Sequence, residues 1–289
     1  MSSEVKQKQL TTGEILRRKG GEKLVAVTAY DYTFAKIIDP LVDIVLVGDS
    51  LGMVIQGMPN TLSVTLDEMI YHSRAVSRAV QKAHLVVDMP FMSYQTSEAK
   101  ALHNAGRLLQ EGYAQSVKVE GGVAISRTVS RLVDIGIPVM GHVGLTPQSV
   151  HQFGGYKVQG KSPTSAEAIM MDALALEDAG AYSIVLEGIP TSLAKEISER
   201  VKIPTIGIGA GIHCDGQVLV NQDLLGMNPS FKPKFVKRYA NLNQEISSAV
   251  ESFAKEVRGG VFPSEEFSFG KIQKTSSPNP ESKGQDAHP

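Results

Sequence analysis

The chain has 289 residues, 42% hydrophobic and 20% charged, with 29 basic against 30 acidic side chains and a formal net charge of -1. That balance gives no electrostatic reason to expect nucleic acid or an anionic membrane as partner, and leaves a small molecule as the expected ligand. A single cysteine, Cys214, excludes an internal disulfide framework and a multi-cysteine zinc site; with no signal-peptide core and no bilayer-spanning apolar run, the expectation is a cytoplasmic protein.

Residues 1–10 are expected to be a loose, polar segment, and Thr11 to Glu14 then open a short amphipathic cap through Ile15 and Leu16. Strands are expected at 24–29, at 44–48 followed by Asp49 and Ser50, and at 84–87 followed by Asp88. Between the second and third, the capping-box pattern from Thr65 to Glu68 opens a helix whose apolar face is Leu66, Met69, Ile70, Val76 and Val80. Another helix runs from about Ser97 into the fourth strand, Ser116–Glu120, where polar and apolar residues alternate and put Lys118 and Glu120 on one face. Burying those two charges is costly without a partner or a metal. Gly121 and Gly122 then release the backbone into a helical pattern at Ile125, Val129, Leu132 and Val133.

The fifth strand is expected at 137–141, ending in His142, and the long glycine-rich stretch 151–160 reads as a mobile lid. A second capping box at 164–167 opens a helix closing at Gly180; strands follow at 183–186, ending in Glu187, at 204–208 and at 217–220. A last helix carries Phe235, Leu242, Ile246, Val250, Phe253 and Val257 and stops at Gly259 and Gly260. The composition of 271–289 reads as a disordered tail. Strands alternating with helices in this number and length predict a single (β/α)8 barrel over 11–270, with a doubly wound open sheet as the alternative.

In such a barrel the C-terminal strand ends meet on one rim. Those ends here supply Asp49, Ser50, Asp88, Lys118, Glu120, His142 and Glu187. Each has a plain structural use alone, the aspartates as helix caps or turn residues and His142 as a core histidine. Their coincidence at successive strand ends argues for a site. Converging carboxylates repel unless a cation sits among them, and an oxygen-only set favours magnesium, with Asp49, Asp88 and Glu120 as ligands. The glycines from Gly207 to Gly211 lack the lysine of a phosphate loop, and Cys214 reads as an inert packed thiol.

Several stretches carry a resemblance: DIVLVGDSLG from Asp43, VDMPFMSY from Val87, VKVEGG from Val117, GHVGLTPQ from Gly141, LEGIP from Leu186, and IGIGAG followed by CDGQVLV from Cys214. In this order they resemble the ketopantoate hydroxymethyltransferase family from about Thr11 to Gly260. The resemblance implies magnesium, 5,10-methylenetetrahydrofolate as one-carbon donor, 3-methyl-2-oxobutanoate as acceptor, and a homodecamer. It also implies metal binding by Asp49, Asp88 and Glu120, substrate contacts from Asp49, Ser50, Asp88 and Lys118 with His142 in the same site, and proton abstraction by Glu187. Rival expectations are a metal-dependent lyase or mutase, which would need a further anion clamp, and a non-catalytic barrel, which would have lost Lys118, Glu120 or Glu187.

Overall fold

A computed structural model describes residues 9–229 and 233–270. Its eight parallel strands are β1 (Leu24–Thr28), β2 (Ile44–Val47), β3 (His84–Asp88), β4 (Ser116–Glu120), β5 (Val139–Gly144), β6 (Ser183–Glu187), β7 (Thr205–Ile208) and β8 (Gly216–Leu219). They pair in sequence order and close, β8 onto β1, which makes the sheet a (β/α)8 barrel and rules out the open doubly wound sheet. Runs such as Ile44–Val47 are continuously apolar because both of their faces are buried.

Inward residues including Leu24, Leu46, Val86, Met140 and Val218 fill the barrel, while their outward neighbours such as Val45, Val87 and Val117 pack in the larger core with the helices. The N-terminal cap is a helix, Thr12–Leu16, held by a Thr11–Glu14 capping box; its Ile15 is fully buried in the barrel's inner cluster. Gln9 and Leu10, the described end of the segment expected to be loose, hydrogen bond to Val80 and Lys82. Under the apolar layer a polar chain crosses the barrel: His84 Nδ1 to Leu10 O (3.0 Å), His84 Nε2 to Ser116 Oγ (2.9 Å) and Ser116 Oγ to Tyr182 Oη (2.9 Å). The carbonyl only accepts, so Nδ1 carries the proton, Ser116 donates to Nε2, and Tyr182 donates to Ser116.

The Thr65–Glu68 box and Ser97 cap helices Leu66–Ser77 and Glu98–Gln110 as expected. Three expectations are corrected. The box expected at 164–167 is instead Ser162 with Ser165, because Pro163 takes the first helical position, where its missing N–H costs nothing. β5 runs two residues later than expected at its start, since Pro138 has no N–H for the ladder, and its extension to Gly144 puts His142 inside the strand. The last helix is Leu242–Arg258 and excludes Phe235, which lies beside a turn from Val236 N to Pro233 O (3.0 Å).

The chain divides into two compact units between Asn241 and Leu242, inside the 11–270 span expected as one domain. All eight strands belong to the first. The second contains helix Leu242–Arg258, with Phe253 and Phe262 in edge contact at 5.4 Å and Phe267 beyond at 5.9 Å. The stretches expected to be flexible before residue 9 and disordered over 271–289 lie outside the described residues. Among those described, no helix is long and apolar enough to cross a membrane.

Candidate active site

Strand register builds the site. β3 and β4 align Asp88 with Lys118, and β4 and β5 align Glu120 with His142, so alternation along β4 delivers two charges to one rim. Lys118 Nζ lies 3.0 Å from Asp88 Oδ1 and 3.2 Å from His142 Nδ1. The imidazole continues the chain, with Nδ1 3.6 Å from Glu120 Oε1 and Nε2 3.2 Å from Glu187 Oε2 at the end of β6. Asp49 follows β2 in a turn, where its N–H donates to Asp88 Oδ2 (3.1 Å), and Ser50 Oγ lies 2.8 Å from Tyr30 Oη. All seven residues expected from the strand ends are thus gathered on this rim.

The glycines after β4 have a steric reason. Gly121 sits at φ +124°, and a Cβ on Gly122 would fall 2.1 Å from the Asp172 carboxyl, whose Oδ1 accepts from Val123 N. The chain turns sharply here, and Glu120 stays at the rim.

Asp49, Asp88, Lys118, Glu120 and His142 are each at most 7% exposed, so their charges are settled by one another rather than by water. Burial, then the neighbouring Asp88, pushes the Asp49 carboxyl up to about 7. Glu120 is raised well above the usual carboxylate range by burial and then by Asp49, and burial lifts Glu187 to about 7 against the pull of Lys118. Burial opposes the Lys118 charge, yet Asp88, Glu120 and Asp49 more than offset it and hold the ammonium protonated. His142 is depressed by burial and then by Lys118, so its ring is neutral. An ammonium cannot accept, which leaves Nδ1 as the lone-pair nitrogen and Nε2–H facing Glu187.

Four carboxyl groups around one lysine are short of positive charge, and in Asp49 and Glu120 a neighbouring acid adds to burial in raising the carboxyl. A hard divalent cation fits this oxygen-rich donor chemistry. Among the described residues no three histidine, cysteine or carboxylate side chains enclose an ion position directly. Magnesium does not need such a cage: one or two carboxylates, completed by waters and substrate oxygens, suffice. Asp49, Asp88 and Glu120 could supply them.

Residues not singled out from the sequence complete the rim. Gln148, after β5, donates from Nε2 to Asp49 Oδ2 (2.9 Å), and its backbone N–H donates to Glu120 Oε2 (2.9 Å). Tyr94 Oη accepts from Glu120 N at 3.0 Å. Tyr156, from the glycine-rich loop, donates to Met53 Sδ (3.4 Å), and its phenol is raised by burial and then by the charges of Glu187, Asp49 and Glu120. Their only signal was membership of the quoted motifs or of the loop; a polar residue in a turn is otherwise unremarked. Cys214 is buried and unpaired, and burial pushes its thiol up, in keeping with an inert packed thiol.

A closed barrel with buried acids, a lysine and a histidine at its C-terminal rim defines a (β/α)8-barrel enzyme whose working groups come from several strand ends. The family model for ketopantoate hydroxymethyltransferase matches residues 9–265, and the chain belongs to that family. A 3-methyl-2-oxobutanoate hydroxymethyltransferase of Pelobacter propionicus is 57% identical over 265 residues, covering 91% of this chain and 98% of the relative. One of Clostridium kluyveri is 56% identical over 253 residues, covering 87% and 90%. Among solved structures, a phosphonopyruvate hydrolase aligns with a TM-score of 0.59 at 12% identity, covering 91% of this chain and 92% of its own. A 2,3-dimethylmalate lyase aligns with a TM-score of 0.57 at 15% identity, covering 90% and 89%. At such identity these two share the fold alone.

Proposed function

We propose that this enzyme transfers a hydroxymethyl group from 5,10-methylenetetrahydrofolate to 3-methyl-2-oxobutanoate, giving ketopantoate for pantothenate and coenzyme A synthesis. Family membership supports the activity, and the buried chain Asp88–Lys118–His142–Glu187 is the observation that carries the chemistry. Bound among Asp49, Asp88 and Glu120, magnesium would polarise the oxo group and stabilise negative charge on it.

The protein's own groups do the rest. Glu187, lifted to about 7, takes the C3 proton of the oxo acid as general base, and the electron pair moves toward the C2 oxygen. The neutral His142 presents Nε2 to Glu187 at 3.2 Å without a well-aligned hydrogen bond, which leaves the carboxylate free to turn toward C3. Lys118 supplies fixed positive charge beside the substrate oxygens, together with Asp49, Ser50 and Asp88 in the binding wall. Water adds to the one-carbon unit as its bonds to the two folate nitrogens break, its two protons passing to those nitrogens and its oxygen staying on the carbon as formaldehyde. C3 bonds to that carbon, and the resulting alkoxide takes up the proton held by Glu187. The folate methylene arrives in a site that Tyr156 helps to shield. The same reading carries a homodecamer in the cytoplasm.

Wild-type protein incubated with magnesium and 3-methyl-2-oxobutanoate in heavy water, without folate, should incorporate deuterium at C3. Adding 5,10-methylenetetrahydrofolate should give ketopantoate by mass spectrometry. Absence of both exchange and product would refute the assignment.

A further inference from the structure

Gln148 lies in the short helical turn Pro147–Ser149 that follows β5 and is buried. Its amide is fully used. Nε2 donates to Asp49 Oδ2 (2.9 Å) and to Met89 O (3.0 Å), and Oε1 lies 2.9 Å from both Tyr94 Oη and Gln95 Nε2. A carbonyl only accepts, so Met89 O fixes which end of the amide is nitrogen, and Asp49 Oδ2 must accept as well. The backbone N–H of the same residue grips Glu120 Oε2 at 2.9 Å. One residue therefore ties down one oxygen on each of two carboxylates that lie 99 and 28 positions away in the chain. The third carboxylate is tied in the same manner, Asp88 Oδ2 accepting from Asp49 N (3.1 Å).

The second oxygens are left differently. Asp88 Oδ1 has no hydrogen bond of good alignment although Lys118 Nζ is 3.0 Å away, and Glu120 Oε1 has His142 Nδ1 at 3.6 Å. Glu120 thus has one oxygen committed to the protein and one facing only a lone-pair nitrogen, while the second oxygen of Asp88 is shared with the Lys118 ammonium. Free to rotate, Asp49 and Glu120 would have to be ordered by an incoming cation; held by Gln148, they are already ordered.

We infer that Gln148 is the positioning residue of the divalent-cation site: it presets the Asp49 and Glu120 carboxylates through its side-chain amide and its backbone N–H. This rests on the magnesium reading above, and the test separates the two. Manganese, which electron paramagnetic resonance reads directly as the free ion, is titrated into metal-free protein without substrate. The wild type should bind it. Gln148→Met, which keeps the length of the side chain but has no donor, should bind it 10- to 100-fold more weakly. Gln148→Met should melt lower than the wild type, because Met89 O, Tyr94 Oη and Gln95 Nε2 lose their partner, so binding is compared well below both melting temperatures; turnover should recover at saturating metal. Gln148→Asn, which keeps an amide but withdraws it by one methylene, should lose affinity in the same direction and decides the matter if Gln148→Met does not fold. Wild-type binding with both variants within about twofold of it overturns the role of Gln148 and leaves the metal site standing. No binding by the wild type overturns the metal reading and this inference together.

Discussion

His142 Nε2 stands 3.2 Å from Glu187 Oε2, while the other nitrogen of the same ring faces Lys118 Nζ at 3.2 Å. The lysine fixes the tautomer and the tautomer turns an N–H toward the carboxylate. Glu187 stands close to that N–H without a well-aligned hydrogen bond, and its role as base is separable from binding. Glu187→Gln keeps the size and reach of the side chain and removes its basicity, so calorimetry should find 3-methyl-2-oxobutanoate binding within a few-fold of wild type. Deuterium incorporation at C3 should fall by on the order of 10² or more. Undiminished exchange in the variant would assign the proton to another group.

The same carboxyl sets a pH dependence. Burial lifts Glu187 to about 7, and the base works only when ionised, so exchange and kcat/KM should decline as pH falls through about 7. An ordinary glutamate would hold its activity down to about 4.3. A rate profile from pH 5 to 9 with its acid limb near 4 would contradict the assignment.

Lys118 neutralises a buried acid cluster, so its loss should cost stability as well as catalysis. Lys118→Met leaves Asp49, Asp88 and Glu120 without their counter-charge, and breaking a buried pair in this way costs about 3–5 kcal/mol. Urea denaturation of metal-free protein at pH 7.5 should show that deficit. It should shrink at pH 5.5, where the raised Asp49 and Glu120 carboxyls take up protons and the repulsion is relieved. An equal deficit at both pH values would mean that packing, and not charge, is what the lysine supplies.

At the other end of the barrel, burial pushes the His84 imidazole down to about 4, and the bond to Leu10 O only partly opposes this. The unfolded chain therefore takes up this proton first, near 6.5, and the folded protein only near 4. The stability associated with neutral His84 is fully present above about 6.5 and is lost as pH falls toward 4, with a slope of at most about 1.4 kcal/mol per pH unit. His84→Asn should unfold with a shallower pH dependence than wild type across that window. Parallel pH dependences in the two proteins would show that His84 is not the group that titrates.

The sequence carried the strand count, the helix starts at Thr65 and Ser97, and the seven rim residues, because these follow from local chemistry: side-chain alternation, capping side chains and polar residues at the ends of apolar runs. It erred where one local signal competed with another. At 162–167 two serine- or threonine-led starts lie within one turn and Pro163 selects the earlier; at β5, Pro138 delays the ladder and carries His142 inward. What only the tertiary structure decided is which rim residues touch. The pairing of Asp88 with Lys118 and of Glu120 with His142 depends on the register between neighbouring strands, which sequence spacing leaves open. Gln148 is the clearest case: its partners come from three separate strand ends, and a glutamine in a polar turn looks the same in sequence whether its amide meets water or two buried carboxylates. Long-range hydrogen bonds leave no local trace, because the geometry that makes them is fixed only when the barrel closes.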